Sequence, residues 1–172
     1  MSSAARIGLL FLYLTGQPAW GLDSDRKQPV NITADHITVV EKKGYSRYQG
    51  NVLLTQGSLK ITGDDLTVFV AQNKLRKIIV LGQPASLLQL PEGQAEPMHS
   101  RAHKMEYRVD EQLIDLIGNA EVWQGPNRFS GEHITYHTNT GTITGEKGKE
   151  DGGRVSITIT PPPEDNGKTT AP

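Results

Sequence analysis

The sequence predicts an all-β fold built by internal repetition, and three observations predict it. Helix signals are nearly absent, whereas period-2 alternation of apolar and polar residues, rich in Val, Ile, Thr and Tyr, recurs along the chain. Residues 30–69 align with residues 98–137 at a constant offset of 68, without a gap. In several strands the apolar side of the alternation also switches at a small residue. These features are typical of a supersecondary unit that stacks to bury a shared face.

The repeat is carried by turn residues and by apolar positions. Apolar sites stay apolar, as at Leu54 and Val122 or at Leu66 and Ile134. Turn positions that recur at a fixed period indicate that one strand-and-turn unit is used twice. The identical pairs are Ala34/Ala102, Gly50-Asn51/Gly118-Asn119, Gln56-Gly57/Gln124-Gly125, Gly63/Gly131 and Thr67/Thr135.

Residues 1–21 have the pattern of a cleaved secretory signal peptide. Arg6 precedes an apolar run over residues 7–14, and the small residues Ala19 and Gly21 predict cleavage before Leu22. This run is far shorter than the roughly 20 residues that span a bilayer. We therefore expect an exported chain.

After the signal we expect one β domain over residues 22–160, followed by a disordered Pro-rich polar tail over residues 161–172. The first and last strands should form the two ends of the sheet. The predicted strands are 30–40, 45–55, 59–70, 75–81, 85–90, 98–109, 112–122, 127–138, 141–144 and 154–160.

Three predicted strands change the side on which their apolar residues lie, which a regular strand with a side-chain period of 2 cannot do. The changes fall at Ala34-Asp35, Gly63-Asp64 and Gly131-Glu132. A bulge or corner at each small residue keeps the apolar side inward and bends the sheet into a roll. The predicted inward residues are Ile32, Ile37, Val39, Val52, Leu54, Ile61, Leu66, Val68, Met105, Tyr107, Val109, Leu116, Val122, Phe129, Ile134 and Tyr136.

These inward residues allow two interpretations that alternation alone does not separate. They form either a filled core, which is usual for apolar residues in strands, or a lumen that admits a lipid. Trp123 is out of phase with the inward set, so we expect it to be partly exposed.

Composition argues against several functions. The formal net charge is −1 at pH 7 and no run of Lys and Arg occurs, so the chain lacks the basic footprint of a nucleic-acid-binding protein. Without cysteine it has neither disulfides nor thiolate metal sites.

No catalytic, cofactor or metal site is predicted. His133 and His137 have the spacing of a helical metal site, but four residues of a strand span about 13 Å, so we expect both to face outward. Asp64-Asp65 and Glu132 follow glycines, where acidic residues form turns, and this explains them better than a glycosidase pair does.

Several short strings occur in a specific order along residues 28–138, and together they make the chain resemble the OstA-like family of periplasmic lipopolysaccharide-transport bridge proteins. Residues 74–81 depart from the strings of that family. The strings are QPVNITAD at 28–35, YQGNVLLTQG at 48–57, LKITGDDL at 59–66, GQPA at 82–85, AHKMEY at 102–107, LIGNA at 116–120 and GEHITY at 131–136.

The resemblance implies a twisted open β-jellyroll of two antiparallel sheets, with a lumen that accepts the acyl chains of lipid A. It implies head-to-tail self-assembly across the periplasm, between an inner-membrane export complex with a membrane-anchored jellyroll component and an outer-membrane lipopolysaccharide translocon. It implies no enzymatic activity. The basic cluster of Arg47, Lys74, Arg76 and Lys77 is expected to be a solvated face, with contact to lipid A phosphates as the alternative.

The resemblance also implies lipid-contacting positions. By motif these are Val30, Ile32, Leu87, Tyr107 and Val109. To them we add inward-facing residues, which are Ile37, Val39, Met105, Phe129 and Tyr136. The competing hypothesis is a glycan-binding or structural β module of the cell envelope with a solid core.

Overall fold

The computed structural model describes residues 25–91, 93–138, 140–148 and 154–161. The predicted signal peptide and almost all of the predicted tail lie outside these residues. Two 3-10 helices, Asp25–Lys27 and Glu41–Lys43, accompany ten strands. The strands are β1 (Asn31–Thr33), β2 (His36–Val40), β3 (Tyr45–Gln56), β4 (Leu59–Ala71), β5 (Lys74–Gln89), β6 (Met98–Arg108), β7 (Leu113–Gln124), β8 (Asn127–His137), β9 (Thr142–Glu146) and β10 (Ser156–Thr158).

All ten strands join one antiparallel sheet in which β3 to β8 pair in sequence order. At one edge β1 and β2 both pair with β3, and at the other edge β9 and β10 both pair with β8. The prediction that the first and last strands form opposite ends is therefore confirmed. The predicted all-β architecture is confirmed as well.

A line of irregularities crosses every long strand and divides the sheet into two leaves. The pairing register shifts at the residues between Gln49 and Val52, between Thr62 and Asp65, between Leu81 and Ala85, between Arg101 and Lys104, and between Ile117 and Ala120. We call this the bend line. Leaf 1 ends in β1 and β10, and leaf 2 ends in β2 and β9, so the long strands contribute one half to each of the two sheets of the jellyroll.

The predicted corners lie on the bend line. Ala34 and Asp35 separate β1 from β2, Gly63 and Asp64 interrupt the pairing of β4, and Gly131 opposes Ala120 beside the irregularity of β7. The bend is therefore the cause of the change of apolar side that the sequence shows in β4 and β8.

The two repeats have the same backbone. Ile32 pairs with Leu54 in the first repeat and Ser100 pairs with Val122 in the second, which is the same register displaced by 68 residues. Gly50 and Gly118 have φ of 75° and 82°, and the asparagines after them have φ of 46° and 48°. Because the left-handed region favours glycine and asparagine, the Gly-Asn pair recurs in both copies.

Several predicted strands differ in extent from the structure. Residues 30–40 were expected as one strand, but Ala34 and Asp35 divide them into β1 and β2. Residues 75–81 and 85–90 were expected as separate strands, yet β5 runs unbroken from Lys74 to Gln89, with the irregularity at residues 82–84 inside it. The last strand, expected over residues 154–160, is only Ser156–Thr158. Pro and Gly at 82–84 are tolerated in β5 because they lie where the ladder is already interrupted.

Candidate functional site

The apolar face of the sheet consists of three rows of directly paired residues, and each row crosses eight strands. The Leu54 row lies in leaf 1 and contains Ile32, Leu54, Ile61, Leu87, Ser100, Val122, Phe129 and Ile157. The Leu66 row lies in leaf 2 beside the bend line and contains Ile37, Tyr48, Leu66, Val80, Met105, Leu116, Ile134 and Gly145. The Val68 row follows it and contains Val39, Ser46, Val68, Ile78, Tyr107, Ile114, Tyr136 and Ile143.

Side chains two residues apart in a strand share a face, so the Leu66 row and the Val68 row point to the same side of leaf 2. A single buried cluster joins both leaves, because it includes Leu54 and Ile61 from leaf 1 together with Leu66 and Met105 from leaf 2. We call this side of the sheet the inner face and the opposite side the outer face.

Eight of the ten predicted lipid-binding residues fall in these rows. The Leu54 row holds Ile32, Leu87 and Phe129; the Leu66 row holds Ile37 and Met105; the Val68 row holds Val39, Tyr107 and Tyr136. The other two, Val30 and Val109, lie just outside β1 and β6. Leu87, which only the resemblance indicated, is placed by register between Ile61 and Ser100. That these residues bind lipid remains a prediction.

Burial along the rows depends on distance from the bend line and from the sheet edges. In the row beside the bend line, Leu66 on β4 is 0% and Ile134 on β8 is 1% exposed, whereas the Val68 row is only half-buried even on β5 and β6. At the edges Val39 on β2 is 62% and Ile157 on β10 is 63% exposed. The interior near the bend line is therefore filled, and the apolar face is open where it reaches either edge. The inner face thus has a filled core beside the bend line and exposed apolar surface at the edges, and that this surface admits a lipid remains a prediction.

The parity argument missed several apolar members of the rows, among them Ile78, Val80 and Ile114. Ile78 and Val80 were missed because β5 is apolar on both sides there, with Ile79 and Leu81 pointing outward. Ile114 was missed although it stands two residues before Leu116, which is the signal that would have found it.

Tyr107 and Tyr136 place phenol rings in the Val68 row. Burial raises the pKa of Tyr136, so its hydroxyl stays neutral on this face. A tyrosine of this kind combines a large apolar ring with a polar tip.

The outer face of leaf 2 carries paired charges. Arg47 contacts Asp65 at 2.6 Å, and Lys77 lies over the Phe69 ring at 4.9 Å. Arg76, at an irregularity near the start of β5, contacts Asp110 in the turn after β6 at 2.9 Å. The hydrogen bond with Asp65 raises the pKa of Arg47. Three of the four residues of the predicted basic cluster thus have partners on the protein.

Asp115 is the most buried carboxylate of this face. It accepts hydrogen bonds from Thr135 Oγ1 at 2.8 Å and from Arg108 Nη2 at 2.6 Å, and His133 Nε2 lies 2.7 Å from it. Burial alone would raise the pKa of Asp115, but the hydrogen bonds of Thr135 and His133 and the charge of Arg108 hold it below its ordinary value.

The outward position predicted for His133 is confirmed, and its partner is this carboxylate. Among the described residues no group of three or more His, Asp or Glu side chains could hold a metal ion.

The two sheet edges carry most of the exposed large apolar side chains. One edge has Val30, Ile37 and Val39; the other has Ile143, Val155, Ile157 and Ile159. Unpaired strands of this kind offer backbone hydrogen-bonding groups to another strand.

Comparison with known proteins identifies the family. A model described as "LptA/(LptD N-terminal domain) LPS transport protein" matches residues 31–142. The chain belongs to this family. That membership, together with relatives named for lipopolysaccharide export, gives it a role in lipopolysaccharide transport.

The relatives agree over most of the chain. The lipopolysaccharide export system protein LptH of Pseudomonas aeruginosa is 33% identical over 149 residues, which are 83% of this chain and 85% of that protein. LptA of Escherichia coli K12 is 29% identical over 121 residues, 69% of this chain and 65% of the relative.

The crystal structure of P. aeruginosa LptH, described as the LptA-homologous periplasmic component of the transport device, superposes with a TM-score of 0.70 at 30% identity. The superposition covers 80% of this chain and 99% of that one. Within the part of the chain that the structure describes, no helix is both long and apolar enough to span a bilayer.

Proposed function

We propose that this chain binds the acyl chains of lipid A along its inner face and carries lipopolysaccharide across the periplasm as one unit of a head-to-tail assembly. The observation that carries this proposal is the continuity of three apolar rows from one sheet edge to the other. Each methylene group removed from water contributes about 0.8 kcal/mol, so several acyl chains along such a face bind without any catalytic group.

The exposed parts of the three apolar rows are the best candidates for contact with acyl chains. Near the edges, half-buried and exposed apolar residues such as Ile32, Val39, Phe129 and Tyr136 offer area that the protein core does not use. Beside the bend line, Leu66 and Ile134 are buried in the core and serve folding. A lipid therefore contacts the rows mainly beyond the buried cluster.

The edges support assembly in one direction. One edge presents β1 and β2 and the other presents β9 and β10, so a second copy pairs unlike edges and the contact repeats without closing. The apolar rows of the two copies then continue into one another. The same edges suit the jellyroll component of the inner-membrane complex and the outer-membrane translocon.

Such a carrier acts by binding alone, so we propose that the chain is not an enzyme. We also propose a periplasmic location, in accord with the predicted signal peptide and with the description of the P. aeruginosa structure.

The test is photo-crosslinking in purified protein mixed with lipopolysaccharide. A photoreactive amino acid at Tyr107 probes the Val68 row, and one at Thr38 probes the outer face, because Thr38 pairs with Arg47 there. We expect a lipid adduct at Tyr107 and none at Thr38. Equal adducts at both positions, or none in folded protein, would contradict an apolar binding face.

The alternative is a structural or glycan-binding module with a solid core, favoured by the complete burial of Leu66 and Ile134. Tyr107→Asp separates the two, since a charge placed in a closed core costs several kcal/mol. On an open face this variant keeps its cooperative unfolding transition and loses lipid binding. Under the alternative it loses the transition itself.

A further inference from the structure

The outer face of leaf 1 carries a row of residues that the proposed function does not use. Directly paired residues across eight strands form it, and we call it the Trp123 row. Its members are Asn31, Thr55, Lys60, Leu88, His99, Trp123, Arg128 and Thr158. None of them is acidic, whereas the outer face of leaf 2 pairs almost every cation with a carboxylate.

Trp123 is held in one orientation by its neighbours. The His99 ring stacks on it with centroids 4.9 Å apart and planes within 7°. The guanidinium groups of Arg128 and Arg101 lie 5.4 and 5.8 Å from the indole centroid. Stacking and cation–π contacts of this kind fix a partly exposed ring without burying it.

A cavity of about 190 Å³ adjoins this stack. Lys60 lies on one side of Leu88 in the row and His99 on the other, so the cavity has cationic and aromatic groups flanking an apolar one. We call this cavity the groove. A second cavity of about 380 Å³ shares Lys60 and Thr62 with it, but is also lined by Asp64 and is not part of the groove. The first cavity is lined by Lys60, Thr62, Ser86, Leu87, Leu88, His99, Ser100 and Trp123.

The groove offers the groups that a sugar needs. Thr62 and Ser86 hydroxyls lie 2.6 Å apart at its wall and can exchange that hydrogen bond for bonds to sugar hydroxyls. Leu88 and the edges of the stacked rings face the C–H groups of a sugar ring. This mixture of apolar surface and a few polar groups is typical of a small-molecule site.

The charge of the groove selects an anion. Among the described residues, no carboxylate lies within ion-pairing distance of Lys60. Arg101 and Arg128 share a single carboxylate, Glu121, at 2.9 and 3.0 Å, which leaves positive charge in excess beside Trp123. An ammonium group without a partner among the described residues, lining the same cavity as Trp123, favours a phosphate ligand.

We propose that this groove binds a phosphorylated sugar, with the phosphate on Lys60 and the sugar ring against Leu88, His99 and Trp123. The side chains of Lys60, Leu88, His99 and Trp123 lie on the opposite face of the sheet from the side chains of the Leu54 row, although Leu87 and Ser100 of that row also line the cavity. This site therefore goes beyond the proposed function and does not depend on acyl-chain binding by the inner face.

Trp123 reports on this site directly, because Trp20 is the only other tryptophan in the sequence. The experiment uses the full chain with Trp20→Phe, so that all indole fluorescence comes from the groove. The probe is the phosphorylated oligosaccharide of fully deacylated lipopolysaccharide, compared with the same oligosaccharide after phosphatase treatment and with inorganic phosphate.

We expect saturable binding of the phosphorylated probe, at least tenfold weaker binding after dephosphorylation, and at least tenfold weaker binding in Lys60→Gln. Lys104→Gln is the matched control, because Lys104 lies on the outer face of leaf 2 and pairs with Glu106 at 2.7 Å. It should bind like the parent protein.

Three results would overturn the proposal. They are the lack of a saturable fluorescence change, equal binding by Lys60→Gln, and equal binding of the dephosphorylated probe. If inorganic phosphate competes at the same concentration as the oligosaccharide, the groove is an anion site and the sugar assignment is wrong. Photo-crosslinking of intact lipopolysaccharide at Tyr107 in Lys60→Gln keeps this outcome separate from the test of the inner face.

Discussion

The two repeats share a backbone but exchange the positions of the acidic and the basic residue of one cross-strand pair. In the first repeat Arg47 of β3 pairs with Asp65 of β4. At the positions 68 residues later, Asp115 of β7 pairs with His133 of β8. A threonine supports a carboxylate in both, with Thr67 donating to Asp65 and Thr135 donating to Asp115.

The difference shows which parts of the unit are constrained. Gly50 and Gly118 have positive φ, and Leu66 and Ile134 are almost completely buried, so we expect neither pair to tolerate a change of character. The acidic and basic residues of a cross-strand pair on the outer face occur in either order. Backbone geometry and core volume therefore keep the repeat recognisable, while outer-face charges are exchanged.

Equivalent core positions should be equally sensitive. We expect Leu66→Ala and Ile134→Ala each to lower the free energy of unfolding by about 2–5 kcal/mol, because each leaves a cavity in the same buried row. Urea unfolding measures the effect. Ile157→Ala, at an exposed edge position of a parallel row, should change it by less than about 1 kcal/mol. A large loss in only one of the two core variants would show that the repeats are not energetically equivalent.

The Gly-Asn bends should come next in effect. Gly50→Ala and Gly118→Ala impose a left-handed conformation on alanine, which costs about 1–2 kcal/mol, and they also crowd the Asp35 and His103 side chains. Gly93→Ala is the matched control, since Gly93 has φ of 73° with no atom close to an added methyl group. Thermal unfolding should rank Gly93→Ala as the mildest of the three, and the opposite order would contradict crowding at the bends.

The charge pairs should differ between repeats. Asp115→Asn removes a carboxylate only 8% exposed and should cost about 1–3 kcal/mol. Asp65→Asn breaks a pair whose Arg47 side chain is 48% exposed, against 34% for the Arg108 beside Asp115, and should cost less than Asp115→Asn does. Chemical denaturation measures the free energy of unfolding, and equal losses in the two variants would show that the two pairs contribute equally to stability.

Low pH should weaken the interactions of Asp115 as well, and this is the smallest of the expected effects. The pKa of Asp115 is lower in the folded chain than its ordinary value of 3.8, so its contribution is complete above that value and is lost as pH falls through the lowered folded-state pKa. The midpoint temperature of thermal unfolding should fall less steeply between neutral pH and about pH 2 in Asp115→Asn than in the parent protein. Parallel curves would show that Asp115 does not contribute to acid sensitivity.

The alternation of apolar residues revealed only part of the bend line. In β4 the inward residues change from odd to even numbers across the bend, from Ile61 to Leu66, so the sequence showed the bend there. In β3 and β7 the inward residues keep the same parity across the bend, as with Leu116 and Ala120, because the Gly-Asn bulge occupies an even number of positions. A bend of that kind leaves no trace in the alternation.

The candidate site, like the bend line, was predicted only in part. Register confirmed the inward orientation of Met105, Tyr107 and Tyr136. The groove beside Trp123 was not predicted beyond the partial exposure of that residue, since it depends on Lys60 and His99 from other strands. Contacts between strands distant in sequence leave no local pattern.

The sequence by itself determined the strands, the alternation of their faces and the small residues at the corners, because these follow from the local geometry of an extended chain. Only the tertiary structure decided which inward residues are core and which are open surface. Ile37 and Met105 occupy the same row and have the same orientation, yet one is 50% and the other 5% exposed. The physical reason is position across the sheet: Met105 has paired strands on both sides, and Ile37 lies on the edge.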